Sequence, residues 1–232
     1  MERKTHFADD EETIQRGLVF DIVCPYFACF RKPTSTSVIL TYPIPPFTTL
    51  CGLVACALGR PRNDFVLQNA LHFGIRILAP GIETREMAKV LKLTGEEKEV
   101  EQRVSASSPM YRHFLAQPVY RIYLLANSEL LDEVIQALRE PLRPLYLGQS
   151  DDMVVVENVI EYTIRRGYTN TIYSIVAGIF ADCSLLKLPR RFSDEDTLIY
   201  SPVLSLPPEL PWTLERKIEA YFFGEEAIWI AD

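Results

Sequence analysis

Arg31 and Lys32 stand just ahead of Pro33 and three hydroxyl-bearing residues, Thr34, Ser35 and Thr36. A β-like run, Val38–Tyr42, follows; Pro43, Pro45 and Pro46 then lead into the small-residue apolar stretch Thr48–Leu58, which closes on Gly59. A proline pair before an apolar run reads as a helix start, because proline presets φ and the first turn has no use for its missing N–H. The hydroxyl of Thr48 or Thr49 is expected to accept from the free amides there. A helix start beside two cations is a phosphate-binding arrangement. Arginine offers a planar fork and lysine a point charge, and neither reads base sequence by itself.

A second cluster, Tyr111-Arg112-His113-Phe114, has three readings. Its rings and guanidinium can stack on splayed bases and grip phosphate. The same groups can cleave RNA without a metal, with His113 as acid or base and Arg112 stabilising the developing charge. The third reading is a structural cluster at a strand start with His113 on the surface. Gly148-Gln149-Ser150-Asp151-Asp152 reads as a turn, since its paired aspartates have no third carboxylate nearby to complete a magnesium site. Gln149 and Ser150 remain available for polar contacts. No phosphate loop, dinucleotide fingerprint, nucleophile elbow or H-E-x-x-H helix occurs.

The elements that must position these groups follow from periodicity. Leu18–Cys24 suits a central strand, and Thr48–Leu58 a buried helix with close-packing Gly52, Ala55 and Ala57. A short helix is expected over Asp64–Leu71 with Asp64 as cap, then a strand over His72–Leu78. Composition changes at Ala79, and residues 80–113 read as an insertion, either a long hairpin or an excursion from the core. Val119–Leu125 returns as a strand. Leu130–Leu138 has helical spacing, with Ser128 as its cap candidate and Pro141 and Pro144 as its stop. The closing strand is placed near Tyr146 or Met153–Val156.

This order is α+β and matches a ferredoxin-like βαββαβ unit. Beyond Val154 the pattern is β-rich, and Trp212–Phe223 reads as a helix or a strand. The organisation expected is a polar tail over 1–17, a ferredoxin-like domain over 18–155 carrying the insertion 80–113, and a smaller β-rich element over 156–232.

The 232 residues carry a net charge of −7, so any nucleic-acid site must be a local basic patch. No apolar run nears the ~20 residues of a membrane helix. The charged N-terminus lacks a secretory apolar region, and the cytoplasm is the expected compartment. Five cysteines at 24, 29, 51, 56 and 183 form no C-x-x-C pair, and the histidines at 6, 72 and 113 are scattered. Buried free thiols are expected, with neither a metal nor another cofactor.

Three segments carry a family resemblance: FRKPTSTSVILTYPIPPFTTLCGLVACALG, FLAQPVYRIYLL and REPLRPLYLGQSDDMV. Together they resemble the Cas-five family of CRISPR-associated proteins, over about residues 18–155. The variant served by a separate nuclease subunit, as in I-A, I-B or I-D systems, is the most similar. The resemblance implies a non-catalytic subunit of a type I Cascade surveillance complex acting in antiviral defence. It implies an RRM-like (RAMP) domain whose insertion 80–113 is a thumb. It also implies that the chain holds the crRNA 5′ handle, caps the Cas-seven backbone filament and contacts the Cas-eight or Cas-ten-like large subunit, so meeting target DNA only indirectly. No membrane is involved.

Carried over by motif, Arg31, Lys32, Thr34, Ser35, Thr36, Tyr42, Pro45, Pro46, Thr48, Thr49 and Gly52 become handle contacts. Tyr111, Arg112, His113, Phe114, Gln149 and Ser150 form the remaining grip. The I-C branch of the family processes precursor crRNA with Tyr, Lys and His. Here Tyr42, Arg112 and His113 would have to serve, and arginine cannot transfer a proton near neutral pH.

Overall fold

Apolar alternation and helical spacing fold the chain into a strand-dominated α/β arrangement in the computed structural model, which describes residues 15–33, 38–61, 64–92, 106–193 and 197–231. In chain order the first elements are β1 (Gln15–Val23), β2 (Phe27–Ala28), β3 (Val38–Ile39), α1 (Phe47–Ala57), α2 (Phe65–Ala70) and β4 (His72–Ala79). Next come β5 (Ile82–Lys92), β6 (Ala106–Ala116), β7 (Val119–Leu125), α3 (Ser128–Arg139) and β8 (Val155–Ile172). The remainder is β9 (Val176–Ala177), β10 (Ser184–Leu186), β11 (Pro189–Phe192), β12 (Leu198–Tyr200), β13 (Leu204–Leu206), β14 (Trp212–Phe223) and β15 (Glu226–Ile228).

The main sheet runs β15-β14-β8-β1-β7-β4. Within it β8, β1, β7 and β4 are mutually antiparallel neighbours; α1 and α2 lie in the connection from β1 to β4, and α3 in that from β7 to β8. β1 sits in the middle, which explains its unbroken apolar run: both faces are covered. Leu18, Phe20 and Ile22 pack with Leu50, Leu53, Leu131 and Val134 of the helices. On the other face Val19 packs with Tyr123, Ile164, Phe223, Ile228 and Ile230, so the chain's own C-terminal strands cover much of that face. Asp21 interrupts the run without penalty because Arg121 (2.8 and 3.0 Å) and Asn158 (2.7 Å) satisfy its carboxylate.

Hairpin β5–β6 pairs without a break from Ile82↔Ala116 to Lys92↔Ala106, and the root of β6 also pairs with β2 and β3. The main sheet continues past residue 155 without interruption, since β8 pairs β1 along one part and β14 along another.

Several local expectations are corrected. α1 is capped by Pro46 with no side-chain hydrogen bond. Thr48 and Thr49 already lie inside the first turn, where their hydroxyls cannot fill the cap role. α3 is capped by Asn127, whose side chain accepts from Leu130 N at 2.9 Å; Ser128 is one residue too late to make that bond. Asp64 does cap α2, accepting from Leu67 N at 2.9 Å. Gly52 is exposed, and a Cβ there would meet nothing within 4 Å, so it is not a close-packing glycine.

In the expected strand Val38–Tyr42 only Val38–Ile39 joins a ladder. The closing strand begins at Val155, while Tyr146 makes only an isolated bridge to Met153. Trp212–Phe223 is a strand. A register shift between Thr213 and Ile218 throws Glu215, Arg216 and Lys217 outward and masks its alternation. The five cysteines are free thiols, four of them buried. Among the described residues no helix is long and apolar enough to cross a membrane.

Candidate nucleic-acid interface

Four stretches distant in sequence enclose a recess of about 250 Å³. The loop after β2 supplies Cys29, Phe30, Arg31 and Pro33. The start of α1 supplies Pro46, Thr48 and Thr49; the turn after α3 supplies Gly148 and Gln149; the β11–β12 hairpin supplies Pro189, Phe192 and Leu198. Arg31 is exposed and held by its bridge to Thr41, while Lys32 N donates to Leu40 O at 2.8 Å. Thr49 N and Leu50 N both turn back to Pro46 O, which leaves the amides of Phe47 and Thr48 without intrahelical acceptors. A helix N-terminus, an exposed guanidinium and an aromatic wall therefore share one opening.

Asp152 ties the turn to the loop. Its side chain is fully buried, and Oδ2 accepts from Cys29 N (2.8 Å) and Gln149 N (3.2 Å). Burial pushes the carboxyl up to about 6, against the two amides and Arg112, which favour its charge. Asp152 Oδ1 and Gln149 Nε2 are buried polar atoms without a hydrogen-bond partner. Gly148 makes the approach sterically possible: its φ is +111°, and a Cβ would lie 2.8 Å from Cys29 O. Asp151 and Asp152 thus belong to a turn. One points to Arg112 at 3.2 Å and the other is buried under the loop.

The remaining site residues from the sequence fall in several places. Thr34, Ser35 and Thr36 lie outside the described residues. Pro45 is buried, Gly52 is exposed one turn beyond Thr48 on α1, and Ser150 is exposed beside Gln149. Tyr42 is buried; burial, followed by its neighbour Tyr200, pushes its hydroxyl up to about 12, and Lys32 Nζ lies 5.4 Å from its ring centre.

Arg112 does not face solvent as a free cation. Its guanidinium lies over the edge-to-face pair of Phe27 (5.0 Å) and Phe114 (5.7 Å) and bonds Asp151. Its Nε also lies 2.9 Å from Glu86 in an ion pair without hydrogen-bond alignment. Burial opposes that charge, but the Asp151 and Glu86 carboxylates outweigh it and hold the guanidinium above its ordinary value. His113 Nδ1 sits 3.2 Å from Glu83. Tyr111 is half exposed with the Arg85 guanidinium 5.1 Å above it, leaving this stacked pair as the open part of the cluster.

A family model described as "CRISPR-associated protein (Cas_Cas5)" matches residues 17–195. The chain belongs to that family. Among solved structures it is similar to a chain of a "CRISPR RNA-guided surveillance complex". That likeness has 17% identity and a TM-score of 0.53, and it covers 86% of this chain and 95% of the other. It is also similar to a CRISPR protein from Archaeoglobus fulgidus at 13% identity and a TM-score of 0.54, with 94% and 99% covered. At these identities the likeness is one of fold. No curated protein matches.

The matched span ends just past β11, so it includes a wall of the recess that sequence reasoning missed. Arg190 and Arg191 stand between the lining residues Pro189 and Phe192, and Arg191 donates to Asn69 at 3.2 Å. Their one signal in the sequence is the adjacent pair of arginines between a proline and an aromatic. Arg85, stacked on Tyr111, sits in a mixed-charge stretch and left no such signal.

Proposed function

We propose that the chain is a non-catalytic crRNA-binding subunit of a type I Cascade-like surveillance complex and holds the 5′ handle of the crRNA at the recess described above. The observation that carries this reading is convergence. Arg31, Pro46, Thr48, Thr49 and Gln149, chosen from separate parts of the sequence, line one opening. Phosphates are gripped there by Arg31, Lys32 and the free amides of α1, while Phe192 offers an exposed ring for a base. The strand order β8-β1-β7-β4 with its helices supports a ferredoxin-like, RRM-like (RAMP) domain whose thumb is the β5–β6 hairpin. Its partners on this reading are the Cas-seven filament that it caps and the Cas-eight or Cas-ten-like large subunit. The subunit works in the cytoplasm, without a membrane.

The placement of Tyr42, Arg112 and His113 favours an I-A, I-B or I-D-like role over self-processing. Tyr42 keeps its proton up to about pH 12, and Arg112 is engaged by two carboxylates. Metal-independent repeat cleavage is the rival reading. Repeat RNA incubated with pure protein in EDTA is expected to stay intact, and specific cleavage that disappears in His113→Ala would replace the proposal.

Arg31→Ala combined with Lys32→Ala is expected to weaken handle retention in the purified complex at least tenfold, about 1.4 kcal/mol. It is also expected to lower the salt slope of binding by about 2. Full crRNA retention by this variant would count against the recess as the handle site.

A further inference from the structure

A larger groove, about 670 Å³, opens at the C-terminal end of β4, lined by none of the residues that line the recess. β4 is the edge strand of the main sheet. The chain itself covers the first part of that edge: Ala231 N donates to Phe73 O at 2.9 Å and Ile175 N to Ile75 O at 3.0 Å. Backbone groups on one side of a strand recur every second residue. The next outward-facing amide and carbonyl therefore belong to Ile77. Among the described residues no strand or loop pairs with the edge there. Ile77 and Leu78 line the groove, with Leu115, Pro207 and Pro208 as apolar wall and Glu83 and Glu209 as its acidic groups. Arg76 is the one cation lining it, and Glu226 already engages that guanidinium.

We propose that this groove binds an extended segment of a neighbouring protein subunit, which adds a short strand to the β4 edge at Ile77 and carries basic and apolar side chains. An unpaired edge beside an apolar wall is a template for strand addition, in which main-chain bonds give affinity and side-chain pockets give selectivity. Glu83 and Glu209 set the charge of the occupant: they repel phosphate and attract lysine or arginine. Apolar side chains of the added strand are received by the wall of Leu115, Pro207 and Pro208. The inference rests on the chain's assembly with protein subunits and not on RNA at the recess.

Hydrogen exchange on peptides spanning 74–80 tests it, comparing the isolated chain with the complex assembled from its co-expressed subunits. The Ile77 amide is expected to exchange at least about tenfold more slowly in the complex. Glu209→Lys, on an exposed side chain that touches no residue of the handle site, is expected to restore fast exchange while crRNA content stays unchanged. Equal exchange in free and assembled protein, protection that survives the charge reversal, or the same protection when crRNA alone is added to the isolated chain would each overturn the proposal. Loss of crRNA in the Arg31/Lys32 variant with protection intact concerns the handle site alone, so the two readings fail separately.

Discussion

Asp152→Ala is expected to destabilise the protein by about 2 kcal/mol and to loosen the recess enough to reduce crRNA retention. The substitution removes the one acceptor shared by two amides, Cys29 N and Gln149 N. Each buried donor left without a partner costs about 1–3 kcal/mol, and relief of a desolvated carboxylate offsets part of that sum. Asp152→Asn separates the two effects, because its carboxamide oxygen keeps the acceptor while the charge goes. The native carboxyl is raised to about 6 by burial, above the ordinary value of about 3.9.

Between those values the folded protein binds more protons at this site than the unfolded chain, so this carboxyl's contribution to stability falls as pH rises from about 4 to about 6. The contribution is present in full below the lower value and lost above the upper one. In urea denaturation across this range, the stability of the parent relative to Asp152→Asn should fall as pH rises. Identical slopes would show that Asp152 ionises normally in the folded state.

Gly148→Ala is expected to produce the second large loss, through the backbone. At φ +111° an L-residue is strained by about 1–3 kcal/mol, and the new methyl would press on Cys29 O at 2.8 Å and Asp152 Oδ2 at 3.3 Å. The turn must then move away from the loop, which displaces Gln149 from the recess. Thermal unfolding should drop by several degrees and handle binding should weaken with it. Ser150→Ala, an exposed neighbour in the same turn, is expected to change neither. Wild-type stability in Gly148→Ala would mean that the turn does not hold the loop in place.

The framework was legible because its central strands and helices bury simple patterns. The apolar run of β1, the alternation of β7 and the 130, 131, 134, 138 spacing of α3 each have one stable placement, and the structure gives them those places. Boundaries were less legible where caps compete. Asn127 and Ser128 are both good cap residues, and backbone geometry settles the choice. β14 was ambiguous because its bulged Glu215-Arg216-Lys217 breaks the two-residue period.

Half of the recess was readable from local chemistry at Arg31, Pro46, Thr48, Thr49 and Gln149. The other half was not, since Pro189, Phe192 and Leu198 arrive from far along the chain through a small two-stranded hairpin packed on α1. Arg112 shows the reverse case. Its contact with Phe114, two residues along the same strand, is local, whereas Glu86, Asp151 and Phe27 meet it only through tertiary pairing.

The handle site is tested most directly by photocrosslinking crRNA within the purified complex and mapping the adducts on this chain. Adducts are predicted within residues 29–33, 46–49, 148–149 and 189–192. Adducts absent from all four stretches and concentrated on the exposed side of β8 around Ile160 and Tyr168 would contradict the account.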